Sequence, residues 1–267
     1  MLYIAELVGK AGIACCKKAL AKTRLETGAD FVIACADGAT NGSGLGFTHA
    51  VYLKKLGVDV ITLGECAFYK KDLTENINRL PYVLRPDNFV FGAPGCGSYV
   101  YKLPGGGKIG VAVLLGQSHF NKIHGENPFL RLEKILERLR SQTPFIIIDI
   151  HAEATAEKYT VFNLAAGKAS AVIGSHTRIQ TADEHIMDGT AVICCAGRTG
   201  SLNSVGGCES GPRIKEYLSG IPDWTRTAWE TPQLQGVVVE LDEDGRAVSI
   251  ERLQIPVAGV IPPEDGR

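Results

Sequence analysis

Short apolar runs alternate with amphipathic segments along most of the chain. Between the runs, residues 13–27, 47–56 and 128–140 place apolar and charged groups at helical spacing, and Pro128 suits a first helical turn. This alternation predicts an α/β fold in which helices cover layered sheets. The predicted strands are the apolar runs at 2–8, 31–36, 58–64, 108–116, 144–150, 169–175 and 190–196.

Two regions have a different pattern. Residues 234–256 alternate between apolar and polar on both sides of an Asp-Gly pair at 244–245, which predicts an antiparallel hairpin. The glycine-rich segment 92–110 predicts a loop followed by a further hairpin. We therefore expect mixed sheets, and because no repeat or long linker interrupts the chain, we expect residues 1–267 to form a single domain.

The composition gives no reason to expect several classes of binding partner. The chain is 45% hydrophobic and 21% charged with a net charge of −1, which gives no reason to expect a nucleic acid polymer or an anionic membrane as partner. No apolar run approaches the ~20 residues of a membrane-spanning helix. The first residues, MLYIAELVGKAG, lack the basic start of a signal peptide. We expect a soluble, cytoplasmic protein, and a homo-oligomer.

The eight cysteines include two adjacent pairs and no CxxC motif of zinc-finger spacing. Neighbouring cysteines rarely bridge each other, so we expect reduced thiols, most of them small buried apolar groups. Cys66 is the exception because of its position at a strand end.

Potential metal ligands follow five of the predicted strands. Ligands in open α/β sheets bind beyond the carboxyl ends of the strands, so these groups are expected to share one edge. Any one of them alone is a weak signal, since acids after strands commonly cap helices. Carboxylates together with two imidazoles suit Mn, Fe or Zn. The groups are Glu6, Asp37, Glu65 beside Cys66, His151, and His176 near Arg178.

The order of these groups, and several longer stretches, resemble the calcineurin-like metallophosphoesterases. The stretches are IDIHAEATAEK (148–158), GSHTRIQTAD (174–183), LRPDNF (84–89), AGRTG (196–200) and GVVVELD (236–242). Within that family the chain is similar to bacterial 2′,3′-cyclic-nucleotide 2′-phosphodiesterases, and the resemblance covers essentially the whole chain. It implies a four-layer α/β/β/α sandwich, a two-metal centre between the sheet ends, and hydrolysis of phosphoesters.

The chain departs from the family at most of the expected ligands. Only His151 and His176 keep the family's residue type, while Glu6 and Asp37 exchange carboxylate lengths. The remaining departures are Glu65 for asparagine, Cys66 for the proton-donating histidine, Gly38 for a ligand, and Arg178 for a metal-binding histidine.

These departures leave two interpretations of the metal centre open. In one, Arg178 occupies the space of one ion, and Glu6, Asp37, Glu65, His151 and His176 hold the other. In the other, the site holds no metal and its charges are satisfied by ion pairs. The cofactor predicted from the resemblance is therefore one or two divalent ions of Fe, Mn or Zn.

Individual residues carry their own alternatives. Cys66 is a soft metal ligand, a nucleophile or a small filler, because a thiol is a poor general acid beside a metal. Asn41 contacts substrate or only forms a turn. Arg178 contacts either Glu65 or a substrate phosphoryl group, since its guanidinium suits bidentate binding of both. Asp149 has a structural role or supports a ligand.

Two classes of function follow. The first is a divergent metal-dependent phosphoesterase that acts on a small phosphorylated or anionic molecule, with a nucleotide favoured by the resemblance. The second is a pseudoenzyme or binding protein that has lost the hydrolytic site. A different metal-dependent reaction on a small anionic substrate is a further alternative.

Overall fold

The computed structural model describes residues 1–120, 123, 125–223 and 225–262. Its strands are β1 (Leu2–Ile4), β2 (Glu6–Leu7), β3 (Val32–Cys35), β4 (Val60–Thr62), β5 (Val83–Leu84), β6 (Ser98–Lys102), β7 (Lys108–Leu115), β8 (Ile146–His151), β9 (Ala171–Ser175), β10 (His185–Met187), β11 (Thr190–Ile193), β12 (Arg198–Ser201), β13 (Pro232–Leu241) and β14 (Ala247–Pro256). Its helices are α1 (Gly9–Thr27), α2 (Phe47–Lys55), α3 (Lys71–Thr74), α4 (Pro128–Arg140), α5 (Thr155–Ala165) and α6 (Ser210–Ser219), with a 3₁₀ turn at Ile77–Arg79.

The strands form two mixed sheets. The larger sheet has the order β2-β12-β13-β1-β3-β4-β5, with β14 paired to β13, and the smaller has the order β10-β11-β9-β8-β7-β6. In each sheet the central strands are parallel, as in β1-β3-β4 and β7-β8-β9, while antiparallel strands complete the sheet. The predicted mixed sheets are therefore confirmed.

Three apolar layers separate the sheets and helices. Leu20 of α1 and Leu53 of α2 pack on the outer face of the larger sheet. Leu132 of α4 and Phe162 of α5 cover the outer face of the smaller one. Side chains such as Ile33 and Val111 pack between the two sheets. The order helix, sheet, sheet, helix is the predicted four-layer sandwich.

Local sequence explains where the main helices begin and end. The side chain of Asn127 caps α4 by accepting hydrogen bonds from the backbone N–H groups of Phe129 and Leu130, and Pro128 occupies the first turn. Helix α1 ends at Gly28, whose φ of 61° is the left-handed conformation that glycine adopts most readily. Both ends follow the rules used to predict helices.

Two boundaries differ from the sequence-based prediction. Helix α1 begins at Gly9 rather than at 13, because Gly12 lets the helix approach β12 so closely that a Cβ there would lie 2.6 Å from the Thr199 carbonyl oxygen. The predicted strand 2–8 divides at Ala5, because β1 pairs with β3 and β13 whereas β2 pairs with β12. This change of partner places Glu6 at the sheet edge.

The described part of the chain has no helix that is both long and apolar enough to cross a membrane.

Candidate metal centre

The five predicted ligand residues lie together between the two sheets, at the carboxyl ends of their parallel strands. Four of them, Asp37, Glu65, His151 and His176, stand at the end of β3, β4, β8 and β9 or just beyond. Glu6 lies in β2 and joins them from the larger sheet. The structure therefore gives the predicted ligands a common location, while their binding of metal stays a prediction.

Glu65, His151 and His176 form one compact group of donors. The Oε2 atom of Glu65 lies 2.5 Å from Nε2 of His151 and 3.4 Å from Nδ1 of His176. The two histidine nitrogens are themselves 3.2 Å apart. Glu153 holds the far side of His176, with Oε2 at 2.9 Å from Nε2. Ring nitrogens and a carboxylate oxygen thus converge on one point.

Asp37 anchors the loop that carries two of the other site residues. Its Oδ1 accepts a hydrogen bond from the backbone N–H of Gly64 at 2.6 Å, and its Oδ2 accepts one from the N–H of Cys66 at 3.1 Å. Burial, reinforced by the charge of Glu65, raises the pKa of Asp37 to about 7. The carboxylate therefore fixes the turn after β4 as well as facing the site.

The charges of the site displace other pKa values strongly. Burial alone would lower the pKa of His151, but Glu65 and Asp37 raise it well above its usual range. Burial alone would raise the pKa of Glu65, but the two histidines hold it well below its usual range. Burial, with the charges of Asp37 and Glu65, raises the pKa of the Cys66 thiol. Without a bound cation the thiol keeps its proton, which weighs against Cys66 as a nucleophile.

Arg178 and Glu6 form the second part of the site. Nε and Nη2 of Arg178 lie 2.9 and 2.7 Å from the same Glu6 oxygen, Oε1. Two backbone carbonyls also accept hydrogen bonds from the guanidinium, those of Gly206 at 3.1 Å and Gly42 at 3.0 Å. Burial alone would lower the pKa of Arg178, but Glu6 raises it. The guanidinium is a permanent cation held by four contacts.

The backbone around the second histidine is in an unusual conformation. His176 and Arg178 have φ values of 86° and 58°, in the left-handed region that costs a side-chain-bearing residue on the order of 1–3 kcal/mol. Arg198 holds this turn by donating a hydrogen bond to the Arg178 carbonyl at 2.8 Å. The turn directs both side chains into the site.

Two glycines make room for the site. A Cβ on Gly64 would lie 2.2 Å from the His151 ring. A Cβ on Gly38 would lie 2.7 Å from Nη2 of Arg178 and 2.9 Å from Oε1 of Glu6. Neither ring nor ion pair could stay in place with a larger residue at these positions.

A buried chain of hydrogen bonds supports His151 from behind. Tyr3 donates to Oδ2 of Asp149 at 2.6 Å, and Ser175 donates to Oδ1 at 2.7 Å. Because the Ser175 hydroxyl gives its hydrogen to Asp149, the 2.8 Å contact between its Oγ and Nδ1 of His151 requires that Nδ1 carry the hydrogen. Nε2 is thereby directed to the site. Asp149 thus orients the His151 ring through Ser175. Supporting a ligand residue in this way was one of the two roles predicted for Asp149.

Some site residues were not predicted from the sequence. Cys35 lies beside Glu6 and His151. It comes two residues before Asp37, and side chains two residues apart on an extended chain point to the same face. That spacing was the signal that Cys35 and Asp37 could reach the same region. Phe120 packs its ring 5.0 Å from that of His176, but its loop has no periodicity that would mark it. Asn41 is exposed and has a φ of 57°, next to the Gly42 carbonyl that binds Arg178. Its contact with substrate stays a prediction.

The donor set fits a divalent transition metal. Glu65, His151 and His176 each offer a ligand atom within 4.8 Å of the others, and so do Asp37, Glu65 and Cys66. Oε2 of Glu6 is buried and has no hydrogen-bond partner among the described residues. A buried carboxylate oxygen without a partner is costly, and a cation would remove that cost.

Comparisons with known proteins agree with this geometry. A model of the YmdB-like protein family matches residues 2–253. The 2′,3′-cyclic-nucleotide 2′-phosphodiesterase of Bacillus subtilis (strain 168) is 34% identical over 259 residues, which span 96% of each chain. A novel phosphatase from Mycoplasma pneumoniae superimposes with a TM-score of 0.88 at 31% identity, covering 96% of this chain and 92% of that one. A hypothetical protein from Thermus thermophilus gives 0.87 at 28% identity, covering 96% and 99%.

These matches confirm the resemblance that the sequence motifs indicated, and the solved structures share the arrangement of both sheets. Because the family model and the Bacillus subtilis relative each match nearly the whole length, this chain belongs to the YmdB-like protein family, which has the calcineurin-like phosphoesterase fold.

Proposed function

We propose that this protein hydrolyses a phosphoester bond in a small, nucleotide-like substrate, using one divalent cation and the guanidinium of Arg178. The names of its relatives support a hydrolase that acts on phosphoester bonds. The carrying observation is that Arg178 lies against Glu6 while Glu65, His151 and His176 remain grouped around a separate point. A fixed cation and a potential metal site therefore stand side by side.

Such a pair suits an anionic phosphoryl group. A divalent metal supplies Lewis acidity to phosphoryl oxygens and lowers the pKa of a water molecule. Glu65, His151 and His176, with Asp37, would hold it. The Arg178 contacts use four of the five guanidinium N–H donors, which leaves one hydrogen on Nη1 to bind a substrate oxygen. The ring of Phe120 packs against those of His151 and His176, with centroids 6.3 and 5.0 Å away.

The substrate class and its test follow from this chemistry. We infer a 2′,3′-cyclic nucleotide as the first candidate, because that is the substrate named for the Bacillus subtilis relative. Purified protein, freed of metal and reloaded with Mn²⁺, Fe²⁺ or Zn²⁺, is assayed against the four cyclic nucleotides and a chromogenic diester. Hydrolysis that Arg178→Gln abolishes supports the proposal. A reloaded protein that binds metal but hydrolyses none of them contradicts it.

A binding protein without catalysis is the second candidate, because several charged groups of the site already form ion pairs with one another. Arg178 neutralises Glu6, and His151 contacts Glu65 directly, as expected of a site closed by ion pairs. Binding of a cyclic nucleotide without turnover under every metal condition is the result that this candidate predicts. Action in the cytoplasm and assembly into a homo-oligomer stay predictions.

A further inference from the structure

A third group of potential ligands lies deeper than the two already described. Glu6, Cys35 and His151 each offer a ligand atom within 4.8 Å of the others, and their exposed fractions are 2%, 0% and 1%. The thiol of Cys35 is also hydrogen-bonded to His151. Carboxylate, thiol and imidazole are the three side-chain types that proteins use to bind Zn²⁺.

The carboxylate in this group is incompletely satisfied. Both contacts from Arg178 to Glu6 reach Oε1, so the guanidinium does not grip the carboxylate with one nitrogen on each oxygen. Oε2 is left buried and without a hydrogen-bond partner among the described residues. An anionic oxygen in that state is stabilised by a cation. This observation is independent of the spacing of the three side chains.

The strand register explains why the thiol faces this point. Ile33 and Cys35 of β3 both belong to the layer between the sheets, and Cys35 is the last residue of the strand. Ala5, which follows β1, is an apolar residue of the same layer, and the charged residue Asp37 comes two positions after Cys35. Cys35 is therefore the position at which the apolar layer ends and the charged site begins.

We propose that Cys35 is a thiolate ligand of the bound metal, acting with Glu6 and His151. The inference rests on the metal dependence in the proposed function, and it adds Cys35 and Glu6 to the ligands named there, with His151 common to both groups. On binding, the Cys35 sulfur loses its proton to solvent as the metal–sulfur bond forms, with no change of oxidation state. A set containing sulfur favours Zn²⁺ and Co²⁺ over Mn²⁺, which prefers oxygen. The metal then lies within reach of both Glu6 and the outer ligands that share His151.

Cobalt substitution tests this proposal without an activity measurement. Metal-free protein is titrated with Co²⁺ and followed by near-ultraviolet absorption, in which a thiolate bound to Co²⁺ gives an intense charge-transfer band. We expect the band in the wild type and in Cys15→Ser, because Cys15 lies in α1 and packs in the apolar layer outside the larger sheet. Cys35→Ser should lose the band and bind Co²⁺ roughly 10–100-fold more weakly, as expected when a ligand or its support is removed.

The remaining outcomes separate this proposal from the proposed function. Loss of the band in Cys66→Ser but not in Cys35→Ser assigns the sulfur ligand to Cys66 and overturns the proposal. Wild-type binding of Co²⁺ without a charge-transfer band also overturns it, yet leaves the metal-dependent function standing. A wild type that binds no Co²⁺ overturns both. Circular dichroism checks folding, and Cys35→Ala provides a second variant if Cys35→Ser does not fold.

Discussion

Two nitrogen atoms of Arg178 bind a single oxygen of Glu6, at 2.9 and 2.7 Å, and leave the other oxygen of that carboxylate without a hydrogen-bond partner among the described residues. The ion pair is almost completely buried on the Glu6 side, where only 1% of the side chain is exposed. Charge at this position is thus supplied by the protein itself. We therefore expect this site to bind fewer metal ions than a two-metal centre.

Replacing Arg178 by histidine should therefore raise the number of metal ions bound. We expect about one divalent ion per chain in the wild type and about two in Arg178→His, because an imidazole next to Glu6 is a metal ligand whereas a guanidinium is not. Inductively coupled plasma mass spectrometry on protein dialysed against Zn²⁺ measures the ratio. Arg178→Gln is the control, since it removes the cation without adding a ligand. Equal metal content in the two variants would contradict the assignment.

Substitution of Gly64 tests the tight packing under His151. Alanine there would place its Cβ 2.2 Å from the ring, so Gly64→Ala should lower the free energy of unfolding by about 1–3 kcal/mol and weaken metal binding. Urea denaturation and metal titration provide the two readouts. Gly211→Ala is the matched control, because a Cβ at Gly211 meets no atom within 4 Å among the described residues. A loss of similar size in both variants would show that local contacts at Gly64 are unimportant.

The hydrogen-bonded chain behind His151 should control which ring nitrogen carries the proton. In Ser175→Ala, Nδ1 loses its acceptor, and metal affinity should fall by roughly 10–100-fold. Nitrogen-15 NMR of metal-free protein at high pH, where His151 is neutral, reads the tautomer directly. Thr160→Ala, which removes an exposed hydroxyl on α5, should change neither quantity. An unchanged tautomer in Ser175→Ala would remove this role from the chain.

The pKa of Asp37 gives the metal-free protein a defined pH dependence. The carboxyl has a pKa of about 7 in the folded state against its ordinary value of 3.8, so the folded state binds the proton more tightly than the unfolded state. Its contribution to stability is present at low pH and is lost as pH rises toward 7, by about 1.4 kcal/mol per pH unit. Asp37→Asn should remove this slope. Urea denaturation of both proteins between pH 4 and pH 8 compares them, and a constant difference would be inconsistent with the raised pKa.

Thiol reactivity should distinguish Cys35 and Cys66, the two cysteines with a proposed or considered chemical role, from an exposed thiol. Burial and the neighbouring carboxylates raise the pKa of Cys66, and burial raises that of Cys35 to about 12, so both thiols should resist iodoacetamide near neutral pH in the metal-free protein. Cys96 is exposed and should be alkylated first. Peptide mass spectrometry after a short incubation gives the order. Faster alkylation of Cys66 than of Cys96 would restore the nucleophile interpretation.

The strand ends were predictable because two simple rules agree on them. Apolar runs located the parallel strands, and residues at or just beyond their carboxyl ends, such as Asp37 and His151, were expected to lie together, although β3 and β8 belong to different sheets. Strand β12 was missed because its sequence, Arg-Thr-Gly-Ser, has no apolar pattern. Strand β12 is buried nonetheless, because the Arg198 guanidinium donates hydrogen bonds to the carbonyls of Ser201 and Leu202.

The partners of Arg178 were only partly predictable. Its contact with an acid follows from charge, and Glu6 was available at the same edge. Its contacts with the carbonyls of Gly42 and Gly206 do not follow from sequence, because every residue has a carbonyl and only the loop path brings these two within reach. The left-handed turn at His176 and Arg178 could not be predicted either, since left-handed backbone is uncommon for any residue other than glycine.

The position of the Arg178 guanidinium depends on the absence of a side chain at Gly38. Any Cβ there would lie 2.7 Å from Nη2 of Arg178 and 2.9 Å from Oε1 of Glu6, so a larger residue at 38 would displace the guanidinium from its present contacts. A designer who gives position 38 a larger side chain while keeping Arg178 should expect the guanidinium to move away from Glu6, so the two positions are best exchanged in a single step.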